Sequence, residues 1–202
     1  MRVSVLDIGL SNSGSVKNMI DSLHMDVDSE VIHDTASLDQ VNVLILPGVG
    51  NFSAAANIIS DIALRAAIQS NLGRTDFKIL GICLGMQLLG NWSEEGEGEG
   101  LGLVEGYSES LFKISPSMRV PNMGWCDVIG LGGISYLTRF YHVHSYHFKP
   151  AHSSDVWLKA KTSNQEIVVG IKHNQIYGVQ FHPEKSHRFG REFFRLFLEN
   201  AL

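Results

Sequence analysis

The 202-residue chain contains only two cysteines, Cys83 and Cys126. Two thiols so far apart make no disulfide framework, and neither belongs to a C-x-x-C pair of the kind that binds zinc. A chain with so little cysteine is expected in a reducing compartment, the cytoplasm. Runs of Lys or Arg are missing and the formal net charge is −5, which argues against a nucleic-acid-binding face. No apolar stretch approaches the length of a membrane span, and the N-terminus lacks the basic-then-apolar layout of a signal peptide. Repeats and low-complexity linkers are also missing, so residues 1–202 are read as one domain. The chain is 44% hydrophobic, enough to bury a large α/β core at this length.

The hydrophobic pattern is that of an α/β protein with a central, mostly parallel sheet of the flavodoxin-like kind, flanked by helices. Arg2 to Ile8 reads as a first strand, followed by a small-residue loop, Gly9 to Ser15, and a helix whose face is Val16, Met19, Ile20 and Leu23. Gly9 and Gly14 match neither the dinucleotide fingerprint nor the Walker pattern, so the loop reads as a plain strand-to-helix turn. Val27 to His33 and Val41 to Leu46 are the next strands, the latter continuous enough to be buried on both faces. Ala54 to Leu72 reads as one helix. From Leu101 to Lys172 short alternating runs take over: 101–114, 125–129, 140–148, 156–161 and 167–171. These predict antiparallel strands added to the parallel core, with Gly130 to Gly133 as a turn. Asn174 to Val179 supplies a last strand, and Phe189, Phe193, Leu196, Phe197 and Leu198 form the apolar face of a terminal helix.

One stretch, Lys78 to Leu89, stands out. An apolar strand runs into Gly81-Ile82-Cys83-Leu84-Gly85, and a helical pattern begins at once. This is the layout of a nucleophile elbow, with a thiol in the place of the usual serine. The positive end of a helix dipole next to the thiol would enrich the thiolate. Taken alone, the stretch is equally compatible with a buried, inert cysteine. Two further segments follow predicted strands. Pro47-Gly48-Val49-Gly50 allows a backbone path that can point N–H groups at a developing oxyanion. His182 leaves the last strand with Glu184 two positions on, where an extended segment stiffened by Pro183 puts both on one side. Strand ends of one edge in a parallel sheet share a crevice, so thiol, donors, imidazole and carboxylate are expected together. Metal is not expected: His142 and His144 alternate on one strand, but no further ligands accompany them. The acidic Trp92 to Gly100 reads as a solvated loop, one member of which could face the cleft.

Gly81-Ile82-Cys83-Leu84-Gly85-Met86-Gln87 and Gly178-Val179-Gln180-Phe181-His182-Pro183-Glu184 are similar to the signature pair of class I, triad-type glutamine amidotransferases. Leu46 to Gly50, Ser93 to Gly96, Pro121 to Trp125, Val143 to Tyr146 and Lys185-Ser186 extend the likeness over nearly the whole chain. Within that class the chain resembles the glutaminase subunits of imidazole glycerol phosphate synthases. The resemblance implies that Cys83 attacks the side-chain amide of L-glutamine, with His182 as acid and base and Glu184 orienting it. It implies an oxyanion hole from Gly48, Val49, Gly50 and Leu84, and a glutamine pocket lined by Gln87, Glu95, Ser145 and Tyr146, with Glu95 meeting the α-amino group. No cofactor is implied. The ammonia would pass to a (β/α)₈-barrel synthase subunit in a heterodimer, serving histidine biosynthesis.

The chain departs from that pattern in three places. Asp7-Ile8-Gly9 replaces the usual Asp-Tyr-Gly, Cys126 follows Trp125 where Asn is common, and Tyr141-His142 replaces Tyr-Phe. None touches Cys83, His182 or Glu184. They leave open a paralogue that feeds ammonia to a sugar amidotransferase of surface-polysaccharide synthesis. A catalytically idle scaffold of a synthase and a partner-independent hydrolase of γ-glutamyl compounds are the alternatives from other classes.

Overall fold

Every residue of β3 (Val43–Gly48) is buried, as a strand covered on both faces requires. In the computed structural model this strand lies inside a nine-stranded sheet. The structure describes residues 1–36, 38–60, 62–114, 119–131, 137–161 and 165–202, with Ile62 and Ala63 in backbone only. Around β3 stand β1 (Arg2–Leu6), β2 (Asp28–Ile32), β4 (Lys78–Cys83) and β12 (Ile176–Val179). The order β2-β1-β3-β4-β12 is parallel throughout. Four antiparallel strands continue it: β11 (Glu166–His173), β10 (Val156–Lys161), β7 (Asn122–Ile129) and β8 (Arg139–His144). Thus the expected parallel core with added antiparallel strands is what forms.

Alternation along the strands divides the core between the two faces of the sheet. Val43 and Ile45 belong to one cluster, with residues of α1 (Ser13–Asp21) and α6 (His187–Leu198). Leu44 and Leu46 belong to the other, with residues of α2 (Phe52–Ile59), α3 (Ile62–Asn71) and α4 (Leu84–Leu88). The terminal helix buries Phe193, Leu196, Phe197 and Leu198, as its spacing predicted, and Phe194 besides, while Phe189 is only partly buried. Phe193 meets Phe140 and Phe181 edge-on, at ring centroids 6.0 and 5.6 Å away. Each such side chain contributes on the order of 1.5–3 kcal/mol of burial.

Two expected elements divide. The predicted helix from Ala54 to Leu72 is α2 and α3, with Ser60 capping α2 and turning its hydroxyl back onto the Asn57 carbonyl at 2.6 Å. The 140–148 run is β8 and then β9 (Tyr146–Pro150), separated at Ser145. There the chain leaves the large sheet and joins a second one, β5-β6-β9, with β5 (Trp92–Ser93) and β6 (Gly106–Ser110). The predicted strand 101–114 is only β6, followed by a single turn, α5 (Leu111–Ile114). In the expected turn after β7, Gly132 and Gly133 lie outside the described residues. No helix among the described residues is long and apolar enough to cross a membrane.

Candidate active site

β3, β4 and β12 are neighbours and parallel, so their C-terminal ends open on one crevice. Gly48 pairs with Cys83 across β3 and β4, while Val179 pairs with Ile82 across β12 and β4. Cys83 ends β4 and α4 starts on the next residue. Its backbone, at φ 55° and ψ −111°, occupies a region that L-residues avoid. The turn strain therefore sits on the cysteine itself, and the flanking Gly81 and Gly85 serve close packing. A Cβ on Gly85 would lie 1.7 Å from the Leu46 carbonyl oxygen, and one on Gly81 would lie 2.6 Å from that of Gly85.

His182 and Glu184 meet as expected, by a different backbone route. His182 is extended, but Pro183–Lys185 forms a 3₁₀ turn with proline at its first position. The turn brings Glu184 Oε1 to 2.7 Å from His182 Nδ1, with both side chains almost fully buried. Ser186 fixes the turn: its hydroxyl donates to the His182 carbonyl at 2.6 Å and accepts the Tyr141 N–H at 2.9 Å. The His182 N–H in turn donates to the Tyr141 carbonyl at 2.9 Å. The other ring nitrogen, Nε2, is buried without a hydrogen-bond partner among the described residues. Burial pushes the imidazole pKa down, but interaction with Cys83 and Glu184 outweighs it and raises it to about 9. Thiol, imidazole and carboxylate thus stand together at this edge of the sheet.

A cavity of about 320 Å³ opens over Cys83 and His182. Gln87, Glu95, Ser145 and Tyr146 line it, as do Val49, Gly50 and Leu84 of the expected oxyanion group. Leu84, first in its helix, has an N–H without an intrahelical partner. Val49 differs from expectation: its N–H donates to the Leu10 carbonyl at 2.8 Å, so that donor is engaged by the loop after β1. Gln87 is held from behind by Gln180, at 3.2 Å, and Gln180 Nε2 lies 3.7 Å from Cys83 Sγ. Gln180, Pro121, Val143, His144 and Lys185 are neighbours of the site that no residue-by-residue reading singled out for it, although each adjoins a motif.

Glu95 is half-buried, and its Oε2 accepts the Phe52 N–H at 2.9 Å. Burial raises its pKa above the usual carboxylate range, against the Phe52 N–H, which lowers it. His142 and His144 face each other, Nδ1 to Nε2 at 3.2 Å, and His144 Nδ1 reaches the Tyr146 carbonyl at 2.8 Å. Since a carbonyl only accepts, His144 carries its proton on Nδ1, and its Nε2 is an acceptor within reach of both His142 Nδ1 and Asn122 Nδ2, the latter at 3.1 Å. Among the described residues no group of three His, Cys, Asp or Glu side chains is placed to hold a metal ion.

The sequence matches the family Glutamine amidotransferase class-I over residues 4–201. The chain belongs to this family. It is 34% identical to imidazole glycerol phosphate synthase subunit HisH 2 of Methanococcus maripaludis, over 98% of this chain and 100% of that one. It is 34% identical to imidazole glycerol phosphate synthase subunit HisH 2 of Pseudomonas aeruginosa, over 98% of both. The structure of PurLQS from Thermotoga maritima superposes with a TM-score of 0.73. The match covers 100% of this chain and 99% of that one at 18% identity, and so the two share the fold.

Proposed function

We propose that the chain is the glutaminase subunit of an imidazole glycerol phosphate synthase, releasing ammonia from L-glutamine for a synthase subunit that uses it in histidine biosynthesis. The observation that carries the chemistry is the convergence of Cys83, His182 and Glu184 at one edge of the sheet, under a cavity of amino-acid size. Relatives named as imidazole glycerol phosphate synthase subunits, 34% identical over nearly their full length, support this assignment.

Cys83 Sγ, its proton passed to His182 Nε2, attacks the γ-carboxamide carbon and the carbonyl oxygen takes the negative charge. The Leu84 N–H and the Gly48–Gly50 segment are the donors for that oxyanion. A donor of this kind is worth about 10²–10³ in rate. His182 passes its proton to the nitrogen as the C–N bond breaks, releasing ammonia and leaving a glutamyl thioester. Water, deprotonated by His182, cleaves the thioester to glutamate and the free thiol. Glu184 holds the imidazole in the tautomer that presents Nε2 to the sulfur. Gln87, Ser145 and Tyr146 hold the substrate, and Glu95 receives its α-ammonium group.

The test is ammonia and glutamate release from glutamine by the chain assembled with the synthase subunit of its own host. Cys83→Ala abolishes both products; unchanged release would overturn the reading. A second reading rests on the departures at Tyr141-His142 and Cys126, which lie on β8 and β7 beside the exposed Met123 and Trp125. A paralogue that serves a sugar amidotransferase would co-purify with that enzyme in place of the synthase.

A further inference from the structure

Trp92 to Gly100, with four glutamates and three glycines, has the composition of a solvated loop, yet it is docked on α2. A Cβ on Gly96 would lie 2.2 Å from Ser53 Oγ, and one on Gly98 would lie 2.7 Å from the Ala56 Cβ. Glycine at both places lets the segment approach the first two turns of the helix. Its base is fixed as well, by Glu94 N–H to the Ser108 carbonyl at 2.9 Å and by Arg65 to the Gly100 carbonyl at 2.6 Å. Glu95 sits at the middle of this seat, where its carboxylate accepts the N–H of Phe52, the first residue of α2. Asn51 caps the same end, accepting the Ala54 N–H at 3.2 Å. Directly before Asn51 run Gly48, Val49 and Gly50.

We propose that Glu95 is a positioning residue as well as a substrate contact: it ties the subsite for the glutamine α-ammonium group to the N-terminus of α2, and through it to the Gly48–Gly50 segment. This rests on the glutaminase reading and adds a coupling within the site. An ammonium group beside Glu95 pairs with its carboxylate and orders it where Oε2 accepts the Phe52 N–H. The ionised carboxylate makes a charge-assisted bond to the Phe52 N–H and is favoured by the positive helix end. The first turn of α2 is then held firmly, and the segment leading into it is held with it. An amide that lacks the α-amino group fills the pocket without setting the oxyanion donors. Discrimination against such amides therefore falls on kcat as well as on KM.

The test uses the assembled complex and two amides, glutamine and the same compound without its α-amino group. With wild type, kcat for the des-amino amide is expected at least tenfold below that for glutamine at saturation. In Glu95→Gln, whose amide oxygen still accepts from Phe52 but carries no charge, the two kcat values converge. In Cys83→Ala, which does not turn over, glutamine slows hydrogen exchange of the Phe52 amide at least fivefold and the des-amino amide does not. Equal kcat values in wild type, or equal protection of Phe52 by both amides, would overturn the coupling while the glutaminase reading stands. Absence of ammonia release from glutamine by wild type would overturn that reading, and this proposal with it.

Discussion

His182 Nδ1 and Glu184 Oε1 stand 2.7 Å apart across a 3₁₀ turn that starts on Pro183. The carboxylate can only accept, so the Nδ1 proton is fixed and Nε2 faces the cysteine. Glu184→Gln presents an amide that can donate to Nδ1 and so select the wrong tautomer. We expect kcat for glutamine to fall by up to about 10⁴ with KM nearly unchanged, as loss of a triad orienter does elsewhere. Steady-state kinetics of the complex check this. A purely raised KM would show that Glu184 has no part in the chemistry.

Among the groups that make stability depend on pH, His182 and His144 shift in opposite directions. His182 in the folded chain titrates at about 9, above its ordinary value of 6.5. Its contribution is therefore complete below about pH 6.5 and lost as pH rises through about 9. Burial takes His144 down to about 4, so its contribution is present above 6.5 and lost as pH falls toward 4. Urea midpoints from pH 4 to 10 should fall at both ends. In His182→Gln the alkaline fall should flatten and the acid fall persist. Parallel curves for the two proteins would contradict the assignment.

Gly85 and Gly50 separate close packing from backbone conformation. A Cβ on Gly85 collides with the Leu46 carbonyl, and Leu46 cannot yield without disturbing its place in the β3–β4 pair. Gly85→Ala should cost more than about 3 kcal/mol, read as unfolding midpoint or loss of folded protein. Gly50 has open space around its missing Cβ but φ of +105°. Gly50→Ala should cost only about 1–2 kcal/mol and lower turnover more than stability, because it distorts the donor segment. Equal stability losses at the two positions would contradict this division.

His142 is fully buried, and its Nε2 has no partner among the described residues. Asn122 Nδ2 also lies 3.1 Å from His144 Nε2, so removal of the His142 ring leaves His144 with a partner. His142→Phe, which restores the residue expected from the family resemblance, should stabilise the chain by roughly 1 kcal/mol. The melting temperature would rise by about 2–4 °C. A fall of that size would show that the His142–His144 pair is needed to hold the Ser145 turn.

The parallel strands were legible because burial on both faces writes itself as unbroken apolar runs, as in Val43 to Leu46. Cys83 and His182 were legible because each follows such a strand. The pairing of Glu184 with His182 was read correctly from an incorrect geometry. A proline after an extended histidine can start a 3₁₀ turn as readily as stiffen a strand, and only the Ser186 hydrogen bonds decide which. The Trp92–Gly100 segment is exposed over 96–99 and turns Glu95 to the cleft, in line with its reading, but its seat on α2 was not legible. Composition registers charge and glycine, whereas Gly96 and Gly98 answer to side chains of α2, distant in sequence, and Gly100 to the Leu88 and Gly90 carbonyls. The break between α2 and α3 was hidden because apolar periodicity continues across it.

The chain has two thiols in contrasting settings, and this permits a direct test. Cys83 opens on the cavity beside His182, whereas burial pushes the Cys126 thiol up, outweighing the Asn122 amide that lowers it. A glutamine analogue carrying an electrophile at its γ-carbon, incubated with the chain and followed by intact-mass and peptide mass spectrometry, reads which sulfur is the nucleophile. One equivalent bound at Cys83 and none at Cys126, with labelling lost in Cys83→Ala, is the expected result. Label at Cys126, or none at either thiol in the assembled complex, would contradict it.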